Sequence, residues 1–233
     1  MIRKGIDISH YQRVYSWLQV SDQVSFAYHK ASEGHYSDPK FKEHLMGARE
    51  QALSVGGYHF YRPDVSPDIQ LRTFHTQLES IYLGDGDLVP ALDAEREPPL
   101  VFTPEIYVPG MTRVVRGIIK EWGKCVIYCS QHDWSTLGNP EILLDPDVYL
   151  WVAHYTPKEA PAVPMGKPWT MWQHSGSGTC PGVYSPQGVD LDVATVLPVL
   201  GRNQYPDDAL ATVAESLRAE IESAWEQGTL HAS

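Results

Sequence analysis

Several short apolar runs, spread along most of this chain, each stop on an acid or a polar aromatic cluster. The run Ile2–Ser9 contains Gly5-Ile-Asp-Ile-Ser and places Asp7 near its end. Gly56-Gly-Tyr-His-Phe-Tyr-Arg-Pro puts His59 and Tyr61 where a strand would finish. Leu88-Val-Pro-Ala-Leu leads into Asp93 and Glu95, and Gly188-Val-Asp-Leu-Asp sets Asp190 and Asp192 after a Gly-rich turn. Acids at the ends of several different strands predict a barrel, because the carboxyl ends of barrel strands surround one site.

The segments between these runs refine the prediction. Asp38–Ala52 and Pro67–Leu83 read as helices, the second with Ile69, Leu71, Phe74, Leu78 and Ile81 at helical spacing. Ser25–Ala31, Ser54–Phe60, Leu88–Asp93 and Cys125–Cys129 read as strands, and Pro104–Gly123 separates the last two. Later, Val148–Ala153, Trp169–Gln173 and Gly188–Leu191 follow one another through Pro- and Gly-rich loops with little room for helices. Alternating βα units imply parallel pairing. The expected fold is therefore α/β: a modified TIM-like barrel of five βα units followed by three β-strands. At 233 residues the chain has the length for it, since such barrels run near 250 residues.

Tyr205-Pro206 breaks the pattern. Beyond it, Leu210, Val213, Leu217, Ile221 and Trp225 form an apolar stripe on an acidic helix capped by Asp207-Asp208. The expected division is a barrel over residues 1–203 and an amphipathic helical tail over 204–233. The tail would pack on the barrel, self-associate or dock on a partner.

A net charge of −11 argues against a nucleic-acid partner, whose phosphates would be repelled. No stretch approaches the roughly 20 apolar residues of a membrane span. The N-terminus enters the first strand without an apolar leader, so the expectation is synthesis in a cytoplasm without a signal peptide. Cys125 and Cys129 would lie roughly 13 Å apart along a strand, too far to bridge. With Cys180 they read as buried thiols.

Asp93 and Glu95 carry the chemistry. On a strand they project to one face, with Cα atoms roughly 6.5 Å apart. Neighbouring carboxyls repel, so one keeps its proton to a higher pH and can act as a general acid beside an ionised partner.

Eight segments in order then resemble one family: Gly5-Ile-Asp-Ile-Ser, Phe26-Ala-Tyr-His-Lys-Ala-Ser-Glu-Gly, Gly57-Tyr-His-Phe-Tyr-Arg-Pro, Leu92-Asp-Ala-Glu, Cys125-Val-Ile-Tyr, Tyr149-Leu-Trp-Val-Ala-His-Tyr, Trp172-Gln-His-Ser-Gly-Ser-Gly and Val189-Asp-Leu-Asp. Across roughly residues 2–200, the chain resembles the family 25 glycoside hydrolases, the Chalaropsis-type lysozymes. The resemblance implies a barrel of five βα units closed by three strands. It also implies cleavage of the β-1,4 bond from N-acetylmuramic acid to N-acetylglucosamine in peptidoglycan, as in a phage endolysin released through a membrane pore or carried on the virion. It assigns Glu95 as proton donor and Asp7, Asp93 and Asp190 as the other active-site carboxyls. Asp192 stands where the family often has Asn.

Tyr61, Tyr128, Trp151 and Tyr155 fall at candidate strand ends and are the expected sugar-binding aromatics, with His59 and Asp192 as polar contacts. Trp172 and Phe60 read equally as core. His59, His154 and His174 lack paired ligand spacing, so no metal and no cofactor is expected. Three rival readings remain: a chitinase-like barrel, a metal-dependent phosphodiesterase using Asp7, Glu95 and Asp190, and a non-catalytic wall-binding module. The spacing of the acids leaves retention and inversion both open, with retention assisted by the substrate's own acetamido group favoured.

Overall fold

Eight strands close into a ring: β1 (Arg3–Ile8), β2 (Phe26–Glu33), β3 (Ser54–Phe60), β4 (Ala91–Asp93), β5 (Cys125–Ser130), β6 (Val148–Ala153), β7 (Met171–Gly178) and β8 (Val189–Ala194). This computed structural model describes residues 2–96, 102–155 and 161–201, so the expected tail at 204–233 lies outside the described residues. Helices α1 (Trp17–Ser21), α2 (Phe41–Glu50), α3 (Pro67–Ser80), α4 (Pro104–Trp122) and α5 (Gln131–Thr136) follow the first five strands in turn. Among the described residues no α-helix follows β6 or β7. No helix among them is long and apolar enough to cross a membrane.

Strands β1 to β7 run parallel, each hydrogen-bonded to the next. The eighth is reversed: β8 pairs antiparallel with both β7 and β1 and closes the barrel. A parallel closing strand would need a crossover of a dozen or more residues, usually helical, whereas a reversed one needs only a turn. The turn from β7 carries the positive-φ Gly182 and Gly188.

Strand β4 is shorter than the predicted Leu88–Asp93. Leu88 bridges Val199, and the Val89 N–H donates to the Pro198 carbonyl. Pro90 has no N–H for a ladder. Residues 88–90 therefore plug the floor of the barrel with Leu200 instead of extending the strand.

Alternation along each strand divides the core in two. Phe26, Tyr28, Tyr58, Ala91, Val126, Tyr128, Trp151, Met171 and Ala194 point into the ring. Ile6, Ala27, Val55, Leu92, Ile127, Leu150 and Trp172 point outward to the helices, where they meet Phe74, Leu78, Val114 and Ile118. Gly5 is needed on the inner face because a Cβ there would collide with the Phe26 ring. The three thiols are buried and unpaired, as the spacing predicted.

Candidate active site

The inward positions of three strands converge on one mouth. Asp7 lies near the end of β1 and pairs in register with Asp190 on β8. Because β8 is reversed, Asp190 sits near that strand's beginning, yet reaches the same rim as the ends of the parallel strands. Asp192, two residues deeper, pairs with Gly5 and shares Asp190's face. Asp93 ends β4, and Glu95 follows two residues on.

These acids press on one another out of water. Burial first, then the neighbouring Asp192 charge, holds Asp7 well above the usual carboxylate range. Burial and then Glu95 do the same to Asp93, while Lys30 pulls the other way. Asp190 is pushed up to about 9 by burial and then by Asp7 and Glu95. The set favours holding protons at neutral pH, because a buried anion surrounded by anions is costly.

A second layer fixes their orientation. Gln173 on β7 donates from Nε2 to Asp7 Oδ2 at 2.7 Å. Its Oε1 accepts from Tyr128 at 2.9 Å and from Tyr155 at 2.6 Å. The Trp151 indole donates to Asp192 Oδ1 at 2.8 Å. The Tyr107 hydroxyl from α4 donates to the Glu95 backbone carbonyl at 3.0 Å, pinning the loop that carries the acid. Lys30, inward on β2, lies 4.8 Å over the Phe60 ring and pairs with Glu33 at 2.6 Å.

The structure thus brings Asp7, Asp93, Glu95, Asp190 and Asp192 together with Tyr128, Trp151 and Tyr155. It does not bring His59 there, and it sets Tyr61 beside Glu95 only as a buried ring lining a small cavity with Phe60, Arg96 and Phe102. His59 is fully buried on the outer face of β3, held by Ser32 at 2.8 Å and Gln70 at 3.0 Å, with its ring against Phe74. Tyr61 packs edge-on to Tyr107, with its hydroxyl over Gly110. As sugar contacts both are corrected. Asp192 is 1% exposed and lies beneath Asp7, so it acts through its neighbours and not on a ligand. Trp151 and Tyr128 are covered as well and form the floor below the acids. Tyr155, 59% exposed, is the expected aromatic that keeps an open face. Trp172 belongs to the outer core.

Sequence reasoning missed Tyr58, Lys30 and Gln173. Their signal was parity: Phe26, Tyr28 and Lys30 alternate on one strand, as do Met171 and Gln173 on another. It also missed the exposed rings Tyr11, Tyr36 and Tyr184, which lie in the connections that follow β1, β2 and β7.

A closed barrel with this many carboxyls at its mouth is suited to acid–base chemistry. Comparison with known proteins agrees. Residues 6–183 match the model of glycosyl hydrolases family 25. Lysozyme M1 of Streptomyces globisporus is 31% identical over 189 residues, covering 77% of this chain. The chain spans 64% of that relative's length. The bacterial lysozyme structure from Streptomyces coelicolor superposes with a TM-score of 0.72 at 26% identity, covering 92% of this chain and 97% of that one. The Clostridium perfringens spore cortex lytic enzyme SleM gives 0.71 at 27% identity, over 90% and 69% of the two chains. The chain belongs to glycosyl hydrolases family 25.

Proposed function

We propose that the protein is a peptidoglycan hydrolase, an N-acetylmuramidase that cuts the β-1,4 bond from N-acetylmuramic acid to N-acetylglucosamine, with Glu95 as the general acid. The observation that carries this reading is the convergence of Asp7, Asp93, Glu95 and Asp190 on one barrel mouth in a family 25 chain. The lysozymes and the cortex-lytic enzyme among its relatives support the substrate class.

Glu95 follows Asp93 on the same face, and the charge of either one discourages ionisation of the other. Burial and the Glu95 charge hold a proton on Asp93 against the pull of Lys30, and the proton that reaches the leaving oxygen is assigned to Glu95 on the Leu92-Asp-Ala-Glu motif. Glu95 passes that proton to the glycosidic oxygen as the C1–O bond breaks. Positive charge grows at C1, and the substrate's acetamido oxygen bonds to it, with Asp93 accepting from the acetamido N–H. Water then attacks C1 and displaces the acetamido oxygen, whose bond to C1 breaks; Glu95 takes the water's proton, and the anomeric configuration is retained.

The test is reducing-end analysis of digested peptidoglycan, with a chelator present. Muramic acid ends are expected; glucosamine ends, or a requirement for metal, would overturn the reading. Glu95→Gln keeps the shape without the proton and should lower turnover by about 10²–10⁴-fold with folding intact. Turnover within about threefold of wild type would remove Glu95 from the role.

The same proposal places the chemistry in residues 1–203. Truncation after Asn203 should leave cleavage of soluble glycan fragments intact, and its loss in a folded barrel would move the boundary. Service in phage lysis completes the proposal. Expressed inside a bacterium, the enzyme should lyse the cell only when a membrane pore is co-expressed.

A further inference from the structure

The hydrogen-bond donors around the deepest acids leave one gap. Gln173 accepts from two tyrosine hydroxyls through Oε1 and donates from Nε2 to Asp7 Oδ2. Trp151 must donate to Asp192 Oδ1, since an indole N–H only donates. Asp192 Oδ2 is then fully buried, and among the described residues no donor from another side chain or backbone amide reaches it. The group within hydrogen-bonding reach is the carboxyl of Asp7, set diagonally across the antiparallel pair on the same face. Two bare carboxylates would not remain side by side in such a place. An orphaned buried acceptor and a carboxyl beside it are reconciled by one proton.

The geometry points to Asp192 as a positioning residue that shares a single proton with Asp7 and holds Asp7 as a neutral acid beneath the mouth. The polarity of the chain follows. Tyr128 and Tyr155 donate to Gln173, Gln173 donates to Asp7, Asp7 donates to Asp192, and Trp151 closes the far end. Tyr155 reaches solvent, so this line connects the open rim to the buried pair. The groups facing the pair are Asp190 on β8, Asp93 and Glu95 at β4, Tyr28 on β2, and Tyr58 on β3. Most are acids, and their charges reinforce retention of the proton. Any consequence for turnover rests on the muramidase reading; the proton itself does not.

The test is carboxyl carbon NMR of the intact protein labelled at aspartate, with Asp7→Asn identifying the resonance. In the wild type at pH 7, Asp7 should appear protonated, and the Asp7 and Asp192 signals should move together as the proton leaves at higher pH. In Asp192→Asn the amide keeps its oxygen on Trp151 and turns its N–H toward Asp7. The Asp7 midpoint should then fall by about one pH unit or more. The alkaline limb of glycan cleavage should move down with it. Two carboxylate signals at pH 7 in the wild type would overturn the proposal without any variant. So would an Asp7 midpoint that Asp192→Asn leaves unchanged. Failure of the muramidase reading alone would abolish the activity limb and leave the NMR result standing.

Discussion

Asp190→Asn should make the protein more stable, and by an amount that depends on pH in a calculable way. Asp190 titrates at about 9 in the folded protein and at about 3.9 in an unfolded chain. Between those values the unfolded state has released a proton that the folded state retains. Stability contributed by this group is complete below pH ~4 and drains away as the pH rises toward ~9. The slope is at most ~1.4 kcal/mol per pH unit, and partial solvent access at the mouth reduces it. Asparagine has no proton to lose, so the gap between variant and wild type should open by up to about 3 kcal/mol from pH 5 to pH 7. For a barrel of this size that is roughly 6–12 °C in Tm. Calorimetric scans of both proteins at pH 5, 6, 7 and 8 measure it. A gap that stays flat, or one that widens toward acid, would refute the claim that burial and like charge hold the proton on Asp190.

Two further outcomes follow from named contacts. Gly5→Ala forces a methyl against the Phe26 ring and should cost about 1–3 kcal/mol, read as a lower Tm. An unchanged Tm would mean the ring has room to move. Lys30→Met removes the cation that favours ionised Asp93, so the acidic limb of the activity profile should shift to higher pH. A limb that stays in place would show that Asp93 does not need its charge.

The barrel was readable because each strand ended on chemistry and each helix filled the space between, until the α-helices stopped after Thr136. The reversed β8 was not readable. Val189-Asp-Leu-Asp has the same pattern in either direction, and the acid reaches the mouth from the strand's beginning. Parity on β3 was also hidden. Val55, Tyr58, His59 and Phe60 are all buried, because one face of the strand meets the ring and the other the helices. Alternation between polar and apolar residues, the usual guide to facing, disappears when both sides are covered. His59 was therefore assigned to the wrong side, while Lys30 was overlooked on a strand that reads as core. The acids were legible for the opposite reason: five carboxyls at strand ends have no packing role that would place them together.

The reversed closing strand also determines when the site comes into being. Asp7 and Asp190 lie far apart along the chain, and they become neighbours only when β8 docks between β7 and β1. Pairing across so much intervening chain is among the slow events of folding, since the loop-closure entropy is lost before the contacts form. A partly folded chain without a docked β8 has Asp7, Asp93 and Glu95 but lacks Asp190 and Asp192 at the mouth. On the proposed muramidase reading, glycan cleavage becomes a readout of barrel closure, and an assay of recovered activity during refolding times the arrival of the last strand.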